Sequence, residues 1–289
     1  MALKPFLRGA GQVMFQNHAG TGLLFVAGLA VGTPPAVTVA ALLGLIVSTA
    51  LTPEPDRGSG LGGYNGILVG AALGTFLAPQ PLLVLLGALA TPPVMRAISR
   101  LASVFGAGAL TAPFVLVTWL LLLASHLLTA FTPAPPAATM ELTLGFWPTA
   151  LLQGVSQVFL VQNPVSGALF LAGLALSSRW AAALALLGSA LGAALALAGG
   201  APQSAVEAGL YGFSPVLTAI ALGCTFFPPT PRNLVYTTLA TAFTVFVQAG
   251  LNAALQPLAL PALTAPFVLT TWLFQLGYPQ QVLTRPPPN

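Results

Sequence analysis

The eleven residues LTAPFVLVTWL from Leu110 return as LTAPFVLTTWL from Leu263, 153 positions later. Other blocks recur in the same order. Arg8-Gly9-Ala10-Gly11-Gln12-Val13 resembles Gln153-Gly154-Val155-Ser156-Gln157-Val158 at an offset of 145, and at that offset GLLFVAGLAV from Gly22 lines up with GALFLAGLAL from Gly167 without a gap. GGYNGILVGA from Gly62 resembles YGFSPVLTAI from Tyr211 at an offset of 149. The offset drifts only as loop lengths change, so the chain reads as one unit written twice. The expected division is residues 1–135 and 136–289.

What such a unit can be is limited by its shortage of charge. Of 289 residues, eight are Lys or Arg and four are Asp or Glu, or 4%, against about 25% in soluble domains. Hydrophobic residues make up 56% and Gly adds 30 more. So few charges cannot cover a soluble surface of this size. A soluble enzyme, a disordered chain and a nucleic-acid binder are all excluded, the last because a net charge of +4 reflects sparse loops and not a basic face. The expected class is an all-α polytopic protein of the lipid bilayer.

A crossing of about 30 Å needs roughly 20 apolar residues as helix. Apolar segments run at about 21–51, 61–91, 101–131, 143–178, 180–200, 209–229, 233–256 and 258–276. Pro34-Pro35 divides the first, and Pro79 with Pro81 the second. About ten spans are expected, with shorter broken pieces that do not cross fully. The polar stretches 52–60, 132–141, 199–207 and 227–233 read as turns and loops. Lys4 and Arg8 near one end and Arg285 near the other suit an even number of spans with both termini inside. No useful apolar run separates Lys4 from Arg8, so the N-terminus does not read as a signal peptide.

If each unit holds an odd number of spans, the second sits inverted against the first, and repeated motifs converge on a shared path near the midplane. The pairs Gln12 with Gln157, Tyr64 with Phe213, Leu68 with Leu217 and Thr111 with Thr264 become candidates for that path. A Pro within a helix frees the carbonyl four residues earlier. If both Leu-Thr-Ala-Pro-Phe segments are helical, Pro113 and Pro266 would release the Ala109 and Ala262 oxygens. Free oxygens are tolerated in a bilayer only against protein or a watery cavity. They and the Thr111 and Thr264 hydroxyls would accept hydrogen bonds from a permeating N–H; the plain alternative is a packed Pro kink. Gln12 and Gln157 can accept from an NH2 group and donate to a carbonyl, or bond helix to helix. Val13, Phe15, Val158 and Leu160 supply apolar walls, as do Tyr64 with Leu68 and Phe213 with Leu217, each pair at i, i+4. The whole describes a narrow slot with flat apolar sides and a line of acceptors.

Other chemistries find no residues. His18 and His126 do not occupy equivalent positions in the two units, which disfavours a pore with twin histidines. The single cysteine, Cys224, reads as a small buried apolar residue. Glu54, Asp56, Glu141 and Glu207 fall in the polar loops or at their edge, whereas ion-coupled carriers usually hold ionisable groups inside their spans. No nucleotide, protease or hydrolase motif occurs, and neither a metal nor a cofactor is expected. The surviving reading is a passive pathway for a neutral polar solute; a coupled secondary transporter and a channel for ammonia or water are the alternatives.

LRGAGQVMFQN, GGYNGILVGAALG and LTAPF, each with an echo in the second unit, resemble the urea transporter family over nearly the whole chain, from about Leu7 to Leu276. The resemblance implies two inverted halves, each with five transmembrane helices and one tilted half-spanning helix, a homotrimer with one pore per subunit, and downhill passage of urea. It places Gln12 and Gln157 at the two mouths and Thr111 and Thr264 at the central constriction. It places Val13, Phe15, Tyr64 and Leu68 on one side of the slot, and Val158, Leu160, Phe213 and Leu217 on the other. Tyr64 puts a phenol where the slot should be apolar, and Leu160 stands opposite Phe15 in the repeat. Stripping water from urea costs roughly 2–7 kcal/mol per unpaired polar group, so a ladder of acceptors must replace it. Small amides such as formamide or acetamide are expected to follow the same route. The expected location is a bacterial inner membrane.

Overall fold

The computed structural model describes residues 3–77, 80–128, 133–134 and 144–278. Most of the polar stretch 132–141, together with Glu141 and Arg285, lies outside these residues. The described residues form fourteen α-helices and one isolated bridge, between Leu77 and Pro133. The first seven are α1 (Lys4–Gln12), α2 (Ala19–Gly32), α3 (Pro35–Ala50), the short α4 (Asp56–Ser59), α5 (Tyr64–Phe76), α6 (Pro81–Val104) and α7 (Ala112–Ser125). The remaining seven are α8 (Phe146–Ser156), α9 (Pro164–Ser177), α10 (Arg179–Ala198), the short α11 (Gln203–Glu207), α12 (Phe213–Ile220), α13 (Pro231–Leu255) and α14 (Ala265–Leu276).

The helix boundaries follow from local chemistry. Pro35, Pro81, Pro164 and Pro231 each stand at the first helical position, where the missing N–H would be unpaired in any case. The His18 Nδ1 accepts the Thr21 amide at 3.2 Å and caps α2. At the same place before α9, Asn163 Oδ1 accepts the amides of Val165 and Ser166 at 2.8 and 3.1 Å. Each bond satisfies donors that a helix start leaves open.

This is an all-α membrane protein. Among the described residues, three helices are long and apolar enough to cross a bilayer alone: α6, α10, and α13 with its extension to Leu258. A fourth crossing arises if the pair Phe146–Phe159 and Pro164–Ser177, bent by 75°, is one broken span. Helices α2, α3, α5, α7 and α14 hold 12 to 16 residues, or about 18–24 Å at 1.5 Å per residue, short of the hydrocarbon thickness.

The contact between α2 and α9 is reciprocal. Thr21 Oγ1 donates to the Gly173 carbonyl and Ser166 Oγ to the Gly28 carbonyl, both at 2.7 Å. Gly28 faces the Phe170 ring and Gly173 the Phe25 ring, and a Cβ at either would press into it. Phe25 and Phe170 pack edge to face at 5.2 Å. In each of these contacts, residue i meets the residue aligned with its partner at the offset of 145.

Candidate pore

The site is built where α7 and α14 begin. Before each helix the backbone enters the left-handed region at a leucine, with φ of 50° at both Leu110 and Leu263. That conformation is uncommon without glycine. It turns the chain so that Thr111 and Thr264 become helix caps with nearly identical backbones, φ −93° and −91°, ψ 14° in both. The two hydroxyls meet at 2.6 Å, one donating to the other, and both threonines are buried.

The proline reading needs correction. Pro113 and Pro266 are the second residues of α7 and α14, not interior ones. Both occupy the first turn, where no intrahelical N–H is lost. The Ala109 and Ala262 carbonyls are not released; each accepts an amide, from Ala112 and Ala265, at 3.2 Å. Two other carbonyls, in the turns before these helices, accept indole N–H groups. Trp119 Nε1 donates to the Pro261 carbonyl at 2.8 Å, and Trp272 Nε1 to the Gly108 carbonyl at 2.9 Å. This is a second reciprocal contact, now at the offset of 153.

The two turns differ in their neighbours. The Leu110 carbonyl accepts from Tyr64 Oη at 2.7 Å and Asn65 Nδ2 at 3.3 Å, while Asn65 Oδ1 accepts the Phe114 amide at 3.1 Å. In the aligned block Tyr64 becomes Phe213 and Asn65 becomes Ser214. Neither gives the Leu263 carbonyl a side-chain bond, and the buried Ser214 Oγ has no partner among the described residues. Leu263 instead borders a cavity of about 1150 Å³.

That cavity gathers Gln157, Val158, Leu160, Phe213 and Thr264, together with Phe114, Leu77 and Leu263. No titratable side chain is among its lining residues. Gln157 Nε2 donates to the Ala208 carbonyl at 2.9 Å, and Gln12 Nε2 to the aligned Ser59 carbonyl at 3.1 Å. Each glutamine thereby has its orientation fixed with the carbonyl oxygen left for another donor. Gln12, Val13, Phe15, Tyr64, Leu68, Thr111 and Leu217 do not border this cavity. Leu68 and Leu217 are wholly buried, as Val13 nearly is. Phe15 is half-buried at φ 63° and Leu160 at φ 59°, so both ends of the Gln–Val–x segments turn through the same left-handed step.

Sequence reasoning missed three contributors. Trp119 and Trp272 stand in the duplicated blocks and carry donors, a signal that was available. Asn65 lies in a quoted motif, but its aligned residue is Ser214, so pairing by identity passes over it. Around the site, Cys224 is half-buried with its thiol directed to the Ile220 carbonyl at 3.5 Å. In the exposed loop, the Glu54 carboxyl is held below the usual carboxylate range by the Arg57 guanidinium and then the Gly58 amide.

An apolar helical protein in which two helix-start turns make a buried polar contact, one of them lining a cavity whose described residues carry no charge, has the features of a membrane transport protein. The family profile described as urea transporter matches residues 3–278. The chain is 31% identical to "Urea transporter 1" of Rattus norvegicus and 30% identical to proteins of the same name from Ovis aries and Mus musculus. Each match covers 93% of this chain and 75% of the relative. This chain belongs to the urea transporter family.

Proposed function

We propose that the protein is a transporter and not an enzyme, and that it carries urea passively down its gradient through a slot in each subunit. The observation that carries the reading is the Thr111–Thr264 contact at 2.6 Å. Two buried hydroxyls are presented by two turns of the same sequence, and one of them, that of Thr264, belongs to a residue lining a cavity whose described lining carries no charge. Urea has two NH2 donors and one carbonyl and no charge. A route for it needs acceptors in series and apolar faces between them, because each unpaired polar group costs roughly 2–7 kcal/mol to dehydrate.

In this scheme Gln157 receives urea at the cavity and Gln12 does so at the opposite mouth. Val158, Leu160, Phe213 and Leu217 form the apolar walls on one side, and Val13, Phe15, Tyr64 and Leu68 on the other. Thr111 and Thr264 exchange their mutual bond for bonds to urea at the midpoint. The reciprocal contacts support two halves, 1–135 and 136–289, related by a two-fold operation. We place them as inverted repeats, with about ten crossing segments and two half-spanning ones. A homotrimer in a bacterial inner membrane, with formamide and acetamide as further substrates, completes the proposal and rests on the family resemblance.

The test is urea entry into proteoliposomes followed by stopped-flow light scattering. Equilibration well above that of protein-free vesicles is expected. Equal rates with and without protein would refute the assignment.

A further inference from the structure

Of the three bilayer-length helices among the described residues, only α6 carries basic residues beyond its first turn, Arg96 and Arg100. Both are exposed. The one ion pair among the described residues joins Arg57 to Glu54, so neither guanidinium on α6 has an acidic partner there. The second unit does not repeat the pair. The ends of α6 and α13 align at the offset of 153. The Gly106 and Ala107 amides donate to the Ser103 and Ala102 carbonyls, and the Ala259 and Leu260 amides donate to those of Gln256 and Leu255. At that offset Arg96 and Arg100 become Ala249 and Ala253. The fold therefore does not need the arginines to build this helix end.

Their placement on the helix is specific. At about 100° per residue, Arg96, Ser99, Arg100 and Ser103 share one sector, and Ala97, Leu101 and Val104 share the sector beside it. All seven are exposed, whereas Met95 and Ala102, on the remaining side, are buried against the protein. The 24 residues of α6 measure about 36 Å, against about 30 Å of hydrocarbon. Arg96 and Arg100 lie within about 12 and 6 Å of the helix end, where long side chains reach headgroup depth. Polar and apolar sectors thus run side by side, as the head and chains of a lipid do. A zwitterionic headgroup brings its own cation to the arginine pair; an anionic one does not.

We propose that Arg96 and Arg100, with the Ser99 hydroxyl beside them, bind the phosphate of an anionic phospholipid whose chains lie along Ala97, Leu101 and Val104. The lipid anchors the end of α6 just before the loop in which Gly108 accepts the Trp272 indole N–H and which leads into the Leu110 turn.

The experiment titrates the purified full chain in detergent with dioctanoyl-phosphatidylglycerol and counts retained lipid by native mass spectrometry. Arg96→Gln with Arg100→Gln should weaken binding roughly 10- to 30-fold, the loss expected for two basic residues at a membrane surface. Arg57→Gln with Arg232→Gln removes the same charge elsewhere and should leave binding within about 2-fold of wild type. If the α6 double variant does not fold, Arg96→Gln and Arg100→Gln are measured singly, each expected to lose about 5-fold. Dioctanoyl-phosphatidylcholine should bind wild type and α6 variants alike. Equal phosphatidylglycerol binding by wild type and the α6 variants, or an equal loss in the Arg57 and Arg232 variant, overturns the site. Displacement of the lipid by equimolar inorganic phosphate would mean that free phosphate is the ligand and would overturn the lipid assignment. These readings do not depend on urea transport.

Discussion

The two Leu-Thr-Ala-Pro-Phe turns share a sequence and a backbone, yet they are supported in opposite ways. The first is gripped from outside: Tyr64 and Asn65 donate to the Leu110 carbonyl, and Asn65 also accepts from Phe114. The second has no such grip among the described residues, and Leu263 is one of the residues lining the cavity. The left-handed leucine and the threonine cap therefore arise from the turn and the packing of the helix behind it. The outside bonds decide something else, namely whether the carbonyl before the threonine is occupied by a side chain, as at Leu110. One turn is tied to α5 by side-chain bonds and the other is not.

The largest expected effect comes from removing what the turns share. Thr111→Val with Thr264→Val deletes two hydroxyls of nearly the same shape as the methyls that replace them. Two lost hydrogen bonds at about 0.5–1.5 kcal/mol each correspond to roughly 10- to 100-fold less urea flux, with monodisperse, folded protein by size-exclusion chromatography. Unchanged flux would move the constriction away from both turns.

The next contrast tests the grip itself. Asn65→Ala strands the buried Phe114 amide and should cost about 1–3 kcal/mol, seen as a lower thermal midpoint in detergent. Ser214→Ala removes a hydroxyl without a partner and should stay within about 0.5 kcal/mol. Equal losses would mean that both turns are held alike.

Outer positions have more water nearby, so Gln157→Leu and Gln12→Leu should lower flux only several-fold, about 1 kcal/mol each. The smallest effect is that of pH. Among the described residues no titratable side chain borders the cavity, so flux at pH 5 and pH 8 should agree. Glu54, held below its ordinary value, contributes its stabilisation above that ordinary value and loses it as pH falls through the folded one. Being fully exposed, it should leave no mark on transport.

Charge scarcity alone was enough to read an all-helical membrane protein, and the proline breaks at 34–35 and 79–81 fall where α3 and α6 begin. The Thr111–Thr264 meeting was legible because identical residues in repeated motifs converge on a shared axis. The Pro113 and Pro266 environment was not, since a proline that kinks a helix and one that starts a helix share the same apolar surroundings in sequence. The Tyr64 bond was hidden for another reason. It joins residues 46 apart, and a phenol facing a carbonyl looks the same in sequence as one lining a wall.

The most direct test of the central claim is urea accumulation in proteoliposomes under an imposed proton or sodium gradient. The account predicts that urea equilibrates at the same rate with or without either gradient and never exceeds its external concentration. Accumulation above that concentration, driven by either ion, would contradict it.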